Sequence, residues 1–313
     1  MEERSMEERS IESKLNDSDT KSKLNDSDTK YRYDVPIQPR QLRLELTNNC
    51  NARCVFCHRA AMTRPIGYMS ASLLRKCLAD VRAFPHILEE IVPSNYGETF
   101  LHTQWFSLLQ VIATQLPRTH LVIPTNGTLL TSDSIKQLSS IPTLWLMNFS
   151  VNAYFPDTYE FIHGLAAINI ENIAARIGEL RKLRPDVTVW VSMVHSPQLQ
   201  TQLEMEEFKR KWSQVCNVQV NPAQYNNSTN KAPYRPVNIA CRSLFSDMVV
   251  LWDGRVNSCC FDSDGQLTVG NVNATPLLDI WHSKEFTQLR KLHRLHNSSG
   301  RASISLCRSC TFA

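Results

Sequence analysis

Three cysteines, Cys50, Cys54 and Cys57, stand within the eight residues "CNARCVFC", spaced C-x3-C-x2-C directly after the apolar run "QLRLELT". Three is an awkward number of thiols: a structural zinc site takes four ligands, and disulfides consume cysteines in pairs. Three thiolates in one loop suit three corners of a [4Fe–4S] cluster, whose ligands are ordinarily cysteines. With no fourth protein ligand, one iron keeps a position open to a small molecule, and the cluster becomes a reactive centre. His58 is not expected to complete the set, because neighbours in so tight a loop rarely reach the same metal. A second pattern runs from Cys241 through Gly254 to Cys259, with twelve and then four residues between, and ends in Cys307-x2-Cys310. Four thiols make a closed ligand set, and taken alone this spacing permits a zinc ribbon as readily as a cluster.

The elements that must position these thiols are legible as a period. From about residue 39, short apolar runs alternate with stretches of helical spacing. "QLRLELT" precedes "SASLLRKCLADVRAF", "ILEEIVPS" precedes "TQWFSLLQVIATQL", and "HLVIPTNG" precedes "TSDSIKQLSS". "TLWLMNFSV" precedes "NIENIAARIGELRKLR", "VTVWVSMV" precedes "TQLEMEEFKRKWSQV", and "VQVNP" closes the series near Pro222. Strands alternating with helices imply β-α units and a parallel α/β sheet, either a partial (β/α)6 barrel or an open doubly wound sheet. In both, functional loops leave the C-terminal ends of the strands, so the cysteine triplet belongs to the active face. Beyond an Asn- and Pro-rich linker, residues 225–240, "MVVLWDGRVNSCC" reads as a hairpin turning at Asp253-Gly254. "PLLDIWHSKEFTQLRKLHRLH" reads as one helix begun by Pro276, with the basic run Arg290 to His296 on a solvated face.

Composition narrows the class. The 313 residues are 42% hydrophobic and 20% charged with a net charge of +4, too mild to argue for nucleic acid. No apolar stretch reaches the roughly 20 residues of a membrane span, and the charged N-terminus lacks the apolar core of a secretory signal. Ten cysteines without such a signal imply a reducing cytoplasm, where thiols bind metals or react. Residues 1–38 contain the tandem duplications "MEERS-MEERS" and "SKLNDSDTK-SKLNDSDTK" and are expected to be a disordered tail, too sparse in apolar side chains to offset their ordering entropy.

The triplet after the first strand, with Phe56 just before its third cysteine, resembles the signature of the radical SAM superfamily over residues 39–224. The later loops are similar in order. "YGET" (Gly97, Glu98) is similar to the family's Gly-Gly-Glu segment, which contacts the methionine amino group of S-adenosylmethionine, with Tyr96 in place of the first Gly. "PTNG" (Thr125, Asn126) matches a frequent strand-3 motif. Ser150 and Asn152 of "FSVNAY" occupy positions that in the family often reach the ribose or the methionine carboxylate. "YEFIHG" is similar to a Tyr-x-x-x-Arg-Gly segment, with His163 in place of the Arg. Residues 241–313 look like the twitch or SPASM module of the same enzymes, in which Cys241, Cys259, Cys307 and Cys310 would hold one auxiliary [4Fe–4S] cluster.

The resemblance implies a partial TIM-type barrel with a small C-terminal iron–sulfur domain. It implies a cluster on Cys50, Cys54 and Cys57 that cleaves S-adenosylmethionine to a 5′-deoxyadenosyl radical, and oxidation of a small polar substrate with the second cluster as electron acceptor. Radical epimerisation with Cys260 as hydrogen donor, and peptide crosslinking, are alternatives. A zinc-binding scaffold is the alternative outside enzymes. An electron donor such as flavodoxin or ferredoxin is implied, and no membrane or nucleic-acid partner. With the ordered chain expected to start near residue 31 to 39, no room is left for an N-terminal peptide-binding domain, which favours a small substrate. Cys77 and Cys216 read as buried packing thiols.

Overall fold

The computed structural model describes residues 35–223, 240–294, 298–308, 310 and 311. The duplicated tail and the linker lie almost wholly outside those residues. Six strands follow in the expected order: β1 (Gln41–Leu44), β2 (Glu90–Val92), β3 (His120–Thr125), β4 (Leu144–Ser150), β5 (Thr188–His195) and β6 (Asn217–Pro222). Each pairs in parallel with the next. β6 does not return to β1, so the barrel stays open. The other side of β1 is taken by β7 (Asp247–Val250), in parallel, with Arg43 opposite Val249. β8 (Arg255–Asn257) and β9 (Thr268–Asn271) continue antiparallel, giving one nine-stranded sheet. The expected hairpin is present, and Gly254 makes it possible with φ 91°; a Cβ there would meet Asn273 at 2.6 Å.

Alternation along each strand sorts the side chains. Leu42, Leu44, Leu121, Ile123, Met147, Phe149, Val191 and Met193 are buried against the flanking helices. Their in-between neighbours Arg43, Val122, Pro124, Leu146, Asn148, Trp190 and Gln219 face the concave interior and line a cavity there. The helix Ala71–Arg82 shows why the covering layer packs: Leu74, Cys77, Leu78 and Val81 share one buried face, and the Ser70 hydroxyl caps its first turn. Cys77 is fully buried, and half-buried Cys216 packs against the core.

The C-terminal helical stretch departs from expectation. Two helices form, Leu277–Trp281 and Lys284–Arg294, with Pro276 at the N-cap rather than inside the first. Ser283 Oγ accepts from Phe286 N at 3.2 Å, starting the second helix afresh. The solvated reading of the basic run holds for Lys291 and Arg294, which are exposed, and is corrected for Arg290 and His293. Arg290 is 2% and His293 6% exposed, while Leu295 and His296 lie outside the described residues. The Arg290 guanidinium stacks between Trp281 and Phe286, 4.0 Å from each ring centre, and donates to the carbonyls of Leu244 and Trp281. The break between the helices folds Trp281 back over Arg290, which a straight helix could not do.

The loop after the cysteine triplet is fixed by a buried ion pair. Arg64 donates to both carboxylate oxygens of Glu45 at 2.7 and 2.5 Å, and to Ser263 O at 2.5 Å. The Arg64 and Glu45 side chains are 4% and 0% exposed. Asp264 Oδ1 accepts from Thr63 N and Arg64 N, and Trp252 N donates to Glu45. Arg64→Ala, leaving a buried carboxylate without its cation, is expected to cost about 3–5 kcal/mol. The double variant Glu45→Gln/Arg64→Met is expected to recover part of that, read from urea unfolding of the four species of a mutant cycle.

Candidate active site

The cysteine loop leaves the C-terminal end of β1 and docks on a helix end. Arg53 N and Val55 N donate to the carbonyls of His163 and Ile162 at 2.8 and 3.0 Å, acceptors that the terminus of the helix Pro156–His163 cannot satisfy itself. Cys57 N donates to Cys54 O at 3.0 Å, closing the turn that brings the second and third cysteines together. Burial pushes all three thiols up, Cys54 to about 12, where the neighbouring Cys57 and Cys50 thiolates add to the effect. Arg59 is the cation acting in the opposite sense on each; its Nε is anchored on Asn48 O at 2.9 Å. Three thiols gathered in one loop, with the charge of Arg59 acting on each, suit a soft metal group that would replace their protons.

The loops after β2 and β3 are joined by Glu98. This residue is 3% exposed. Its carboxylate accepts from Thr125 Oγ1 at 2.9 Å, Asn126 N at 2.8 Å and Phe100 N at 3.3 Å. In the folded chain this carboxylate ties the "PTNG" loop to the "YGET" loop. Gly97 allows the closeness: a Cβ there would lie 2.0 Å from Thr47 O and 2.7 Å from Asn49 O. Asn126 then spans to the cysteine loop, donating to Asn51 Oδ1 at 2.8 Å with its amide nitrogen 3.9 Å from Cys50 Sγ.

After β4 the backbone is strained. Asn152 has φ 61°, uncommon for a residue with a Cβ. Its side-chain oxygen accepts from Val194 N at 2.8 Å and its carbonyl from Gln200 Nε2 at 2.9 Å. His163 is fully buried, with Nε2 2.9 Å from Val151 O and Nδ1 3.3 Å from Cys54 Sγ. The carbonyl can only accept, so Nε2 carries the proton and Nδ1 is left to accept from the Cys54 thiol. Burial holds the imidazole below its ordinary pKa. The residue replacing the family's arginine thus braces the second cysteine. Half-buried Ser150 ends β4 opposite Ser192, and Phe56 packs against the core.

Cys241, Cys259, Cys307 and Cys310 line one cavity, together with Cys260, His293 and Arg301. Burial pushes Cys241 up to about 11 and Cys307 to about 12. The loop between β8 and β9 is held by Asp262, which accepts from Gly265, Gln266 and Leu267 N. Among the described residues no three His, Cys, Asp or Glu side chains converge on a point that one ion could occupy; the thiols surround a space. Cys260 differs from its neighbour. Beyond burial, the charges acting on its thiol include Arg43 and Asp247 of the β1–β7 pair, whereas those acting on Cys259 are its fellow cysteines.

Tyr96, signalled in the sequence only as a departure from glycine, feels the charges of both cysteine sets. It is 9% exposed, and its hydroxyl has no hydrogen-bond partner among the described residues. Burial pushes the phenol up, and the thiols of Cys260, Cys259 and Cys57 push it further. His58 packs edge-on against Phe261, 5.4 Å between ring centres, which directs it toward the C-terminal loop rather than into the triplet.

Residues 44–202 match the Radical SAM superfamily model and residues 241–311 match SPASM, an iron–sulfur cluster-binding domain. The tungsten-containing aldehyde ferredoxin oxidoreductase cofactor-modifying protein of Pyrococcus furiosus is 26% identical, over 87% of this chain and 89% of that protein. The S-adenosyl-L-methionine-dependent 2-deoxy-scyllo-inosamine dehydrogenase of Niallia circulans is 22% identical, over 86% of this chain and 91% of its own. Among solved structures, BtrN in complex with AdoMet and 2-DOIA superposes with a TM-score of 0.62 at 18% identity, covering 87% of this chain and 92% of that one.

Burial raises the Glu98 carboxyl to about 7 from 4.5. The folded state therefore holds this proton more tightly than the unfolded state, and the associated stability is complete below pH 4.5 and lost as pH rises through 7. The stability difference between the native chain and Glu98→Gln is expected to change by about 1.4 kcal/mol per pH unit within that window and to level off above it. Thermal unfolding of both across pH 5.5 to 8.5 checks this.

Proposed function

Because the chain belongs to the radical SAM superfamily, and is an enzyme that binds S-adenosylmethionine and iron–sulfur clusters, we propose that Cys50, Cys54 and Cys57 hold the catalytic [4Fe–4S] cluster and that the reaction oxidises a small polar substrate. We assign Cys241, Cys259, Cys307 and Cys310 to one auxiliary [4Fe–4S] cluster. The observation that carries this reading is the pairing of an incomplete thiol set in the loop after β1 with a complete set lining one cavity, with buried Tyr96 in reach of both. When bound, the first cluster supplies the electron that cleaves S-adenosylmethionine to the hydrogen-abstracting 5′-deoxyadenosyl radical, and the second supplies an electron acceptor.

The chain's own residues would then bind and orient. Glu98, through Thr125 and Asn126, fixes the loops that frame the S-adenosylmethionine site, and strained Asn152 fixes the loop after β4. Gly97 lets the β2 loop approach the β1 loop. Tyr96 excludes water from the space beside the cysteine sets and offers one free hydroxyl to whatever occupies it. Among the described residues no helix is long and apolar enough to cross a membrane; we place the reaction in the cytoplasm, with flavodoxin or ferredoxin as electron donor.

Radical epimerisation is the second reading, favoured by the position of Cys260, whose thiol is acted on by Arg43 and Asp247 at the barrel side. Anaerobic reconstitution tests the assignment: about eight iron per chain is expected for the native sequence and about four for the triple Cys50→Ala/Cys54→Ala/Cys57→Ala variant, which should form no 5′-deoxyadenosine. Stoichiometric zinc without iron would overturn it. Cys260→Ala is expected to leave oxidation nearly unchanged and to halt epimerisation after hydrogen abstraction, as followed by solvent deuterium in the product.

A further inference from the structure

The concave side of the sheet holds a cavity of about 260 Å³, lined by Gln41 and Arg43 of β1, Asn148 of β4, Trp190 of β5, Gln219 of β6 and four aliphatic side chains. Its polar atoms are not matched to one another. Arg43 Nε, Gln41 Oε1 and Asn148 Oδ1 are each closed off from solvent without a hydrogen-bond partner among the described residues. The nearby carboxylates are engaged elsewhere: Glu90 accepts from Gln41 Nε2 at 2.7 Å, and Asp247 from Ser246 Oγ at 2.6 Å. An unmatched guanidinium, and acceptors with no donor, cost stability in an interior. A fold retains such groups where an absent molecule supplies the partners.

The chemistry of that molecule can be read from what is unmatched. A guanidinium presents donors in a fork that fits the oxygens of a carboxylate or a phosphate. Two orphan acceptors ask for hydroxyl or amine donors on the same ligand, and the Trp190 ring with the aliphatic wall suits its C–H faces. The volume falls just below the range of about 300–1,000 Å³ typical of drug-sized ligands, which suits a molecule the size of a sugar acid. We propose that the barrel interior binds a small, hydroxyl-bearing oxyanion through Arg43, and that this is the substrate class of the enzyme. The last clause rests on the function proposed above; the binding itself does not.

Arg43 also links this cavity to the C-terminal region, since its strand pairs with β7, where it stands opposite Val249. A ligand anchored there lies beneath the strand ends that carry the cysteine triplet.

The test follows the thermal midpoint of the reconstituted full chain against increasing glycerate, glycerol 3-phosphate and, as the neutral control, glycerol. Saturable stabilisation by at least one anion and none by glycerol is expected, the carboxylate and phosphate arms deciding which oxyanion is preferred. Arg43→Gln should raise the half-saturating concentration at least tenfold. Asn148→Asp, which keeps Arg43 but sets a negative charge in the same cavity, should do the same. Anions that stabilise no better than glycerol, or equally in both variants, would overturn the proposal, as would binding shown only by an acidic peptide. Formation of 5′-deoxyadenosine is measured separately on the native chain. Its absence would sink the catalytic reading while Arg43-dependent binding stood, and its presence without anion binding would sink this inference alone.

Discussion

The Glu45–Arg64 pair is the constraint on which the site depends. Removing two charges from water costs several kcal/mol for each ion, and the mutual attraction repays this only when geometry and surrounding hydrogen bonds are complete. Completion here draws on three parts of the chain: Glu45 at the end of β1, Arg64 after the cysteine triplet, and Trp252, Ser263 and Asp264 of the C-terminal region. None of these gains its share until the others are in place. The triplet loop is thus held at one side by the end of the helix Pro156–His163 and at the other by a junction that forms only when both cysteine-bearing regions are folded.

The same coupling explains why the C-terminal region does not stand apart. Its first strand, β7, occupies the side of β1 that an open barrel would otherwise leave bare, and an unpaired edge strand is a hazard. Pairing there places the second cysteine set beside the face from which the first emerges. The interior side chains of β1 to β6 are free of this structural duty. Leu42, Leu44, Ile123 and Met147 carry the packing, so Arg43, Asn148, Trp190 and Gln219 at the alternate positions can be chosen for chemistry.

What was legible in the sequence was what local spacing determines. The strands of the parallel series, the helices between them, the turn at Gly254 and both cysteine groupings all follow from periods of two and 3.6 or from motif intervals. What was not legible depends on partners distant in the chain. Arg290 sits in a run that looks solvated on a helical wheel, and only the break at His282–Ser283 brings Trp281 over it. Glu98 is bonded to Thr125 at the end of β3 and to Asn126 in the loop after it, 27 and 28 residues away, which no local pattern reveals. The parallel pairing of β1 with β7 joins residues some two hundred positions apart. Tyr96 was visible as an oddity of composition, but the action of both cysteine sets on it is a property of the folded chain.

Burial of so many thiols has its own logic. Seven cysteinate charges gathered in two pockets would repel one another strongly in a low-dielectric interior. Burial raises the pKa values of Cys50, Cys54, Cys57, Cys241, Cys259 and Cys307, which keeps those thiols protonated at pH 7. His163 Nδ1 accepts a hydrogen bond from the Cys54 thiol in that state. A metal group held by these thiols would displace their protons, and arginines whose charge acts on them are already present. Arg59 acts on Cys50, Cys54 and Cys57, and Arg301 on Cys241 and Cys307.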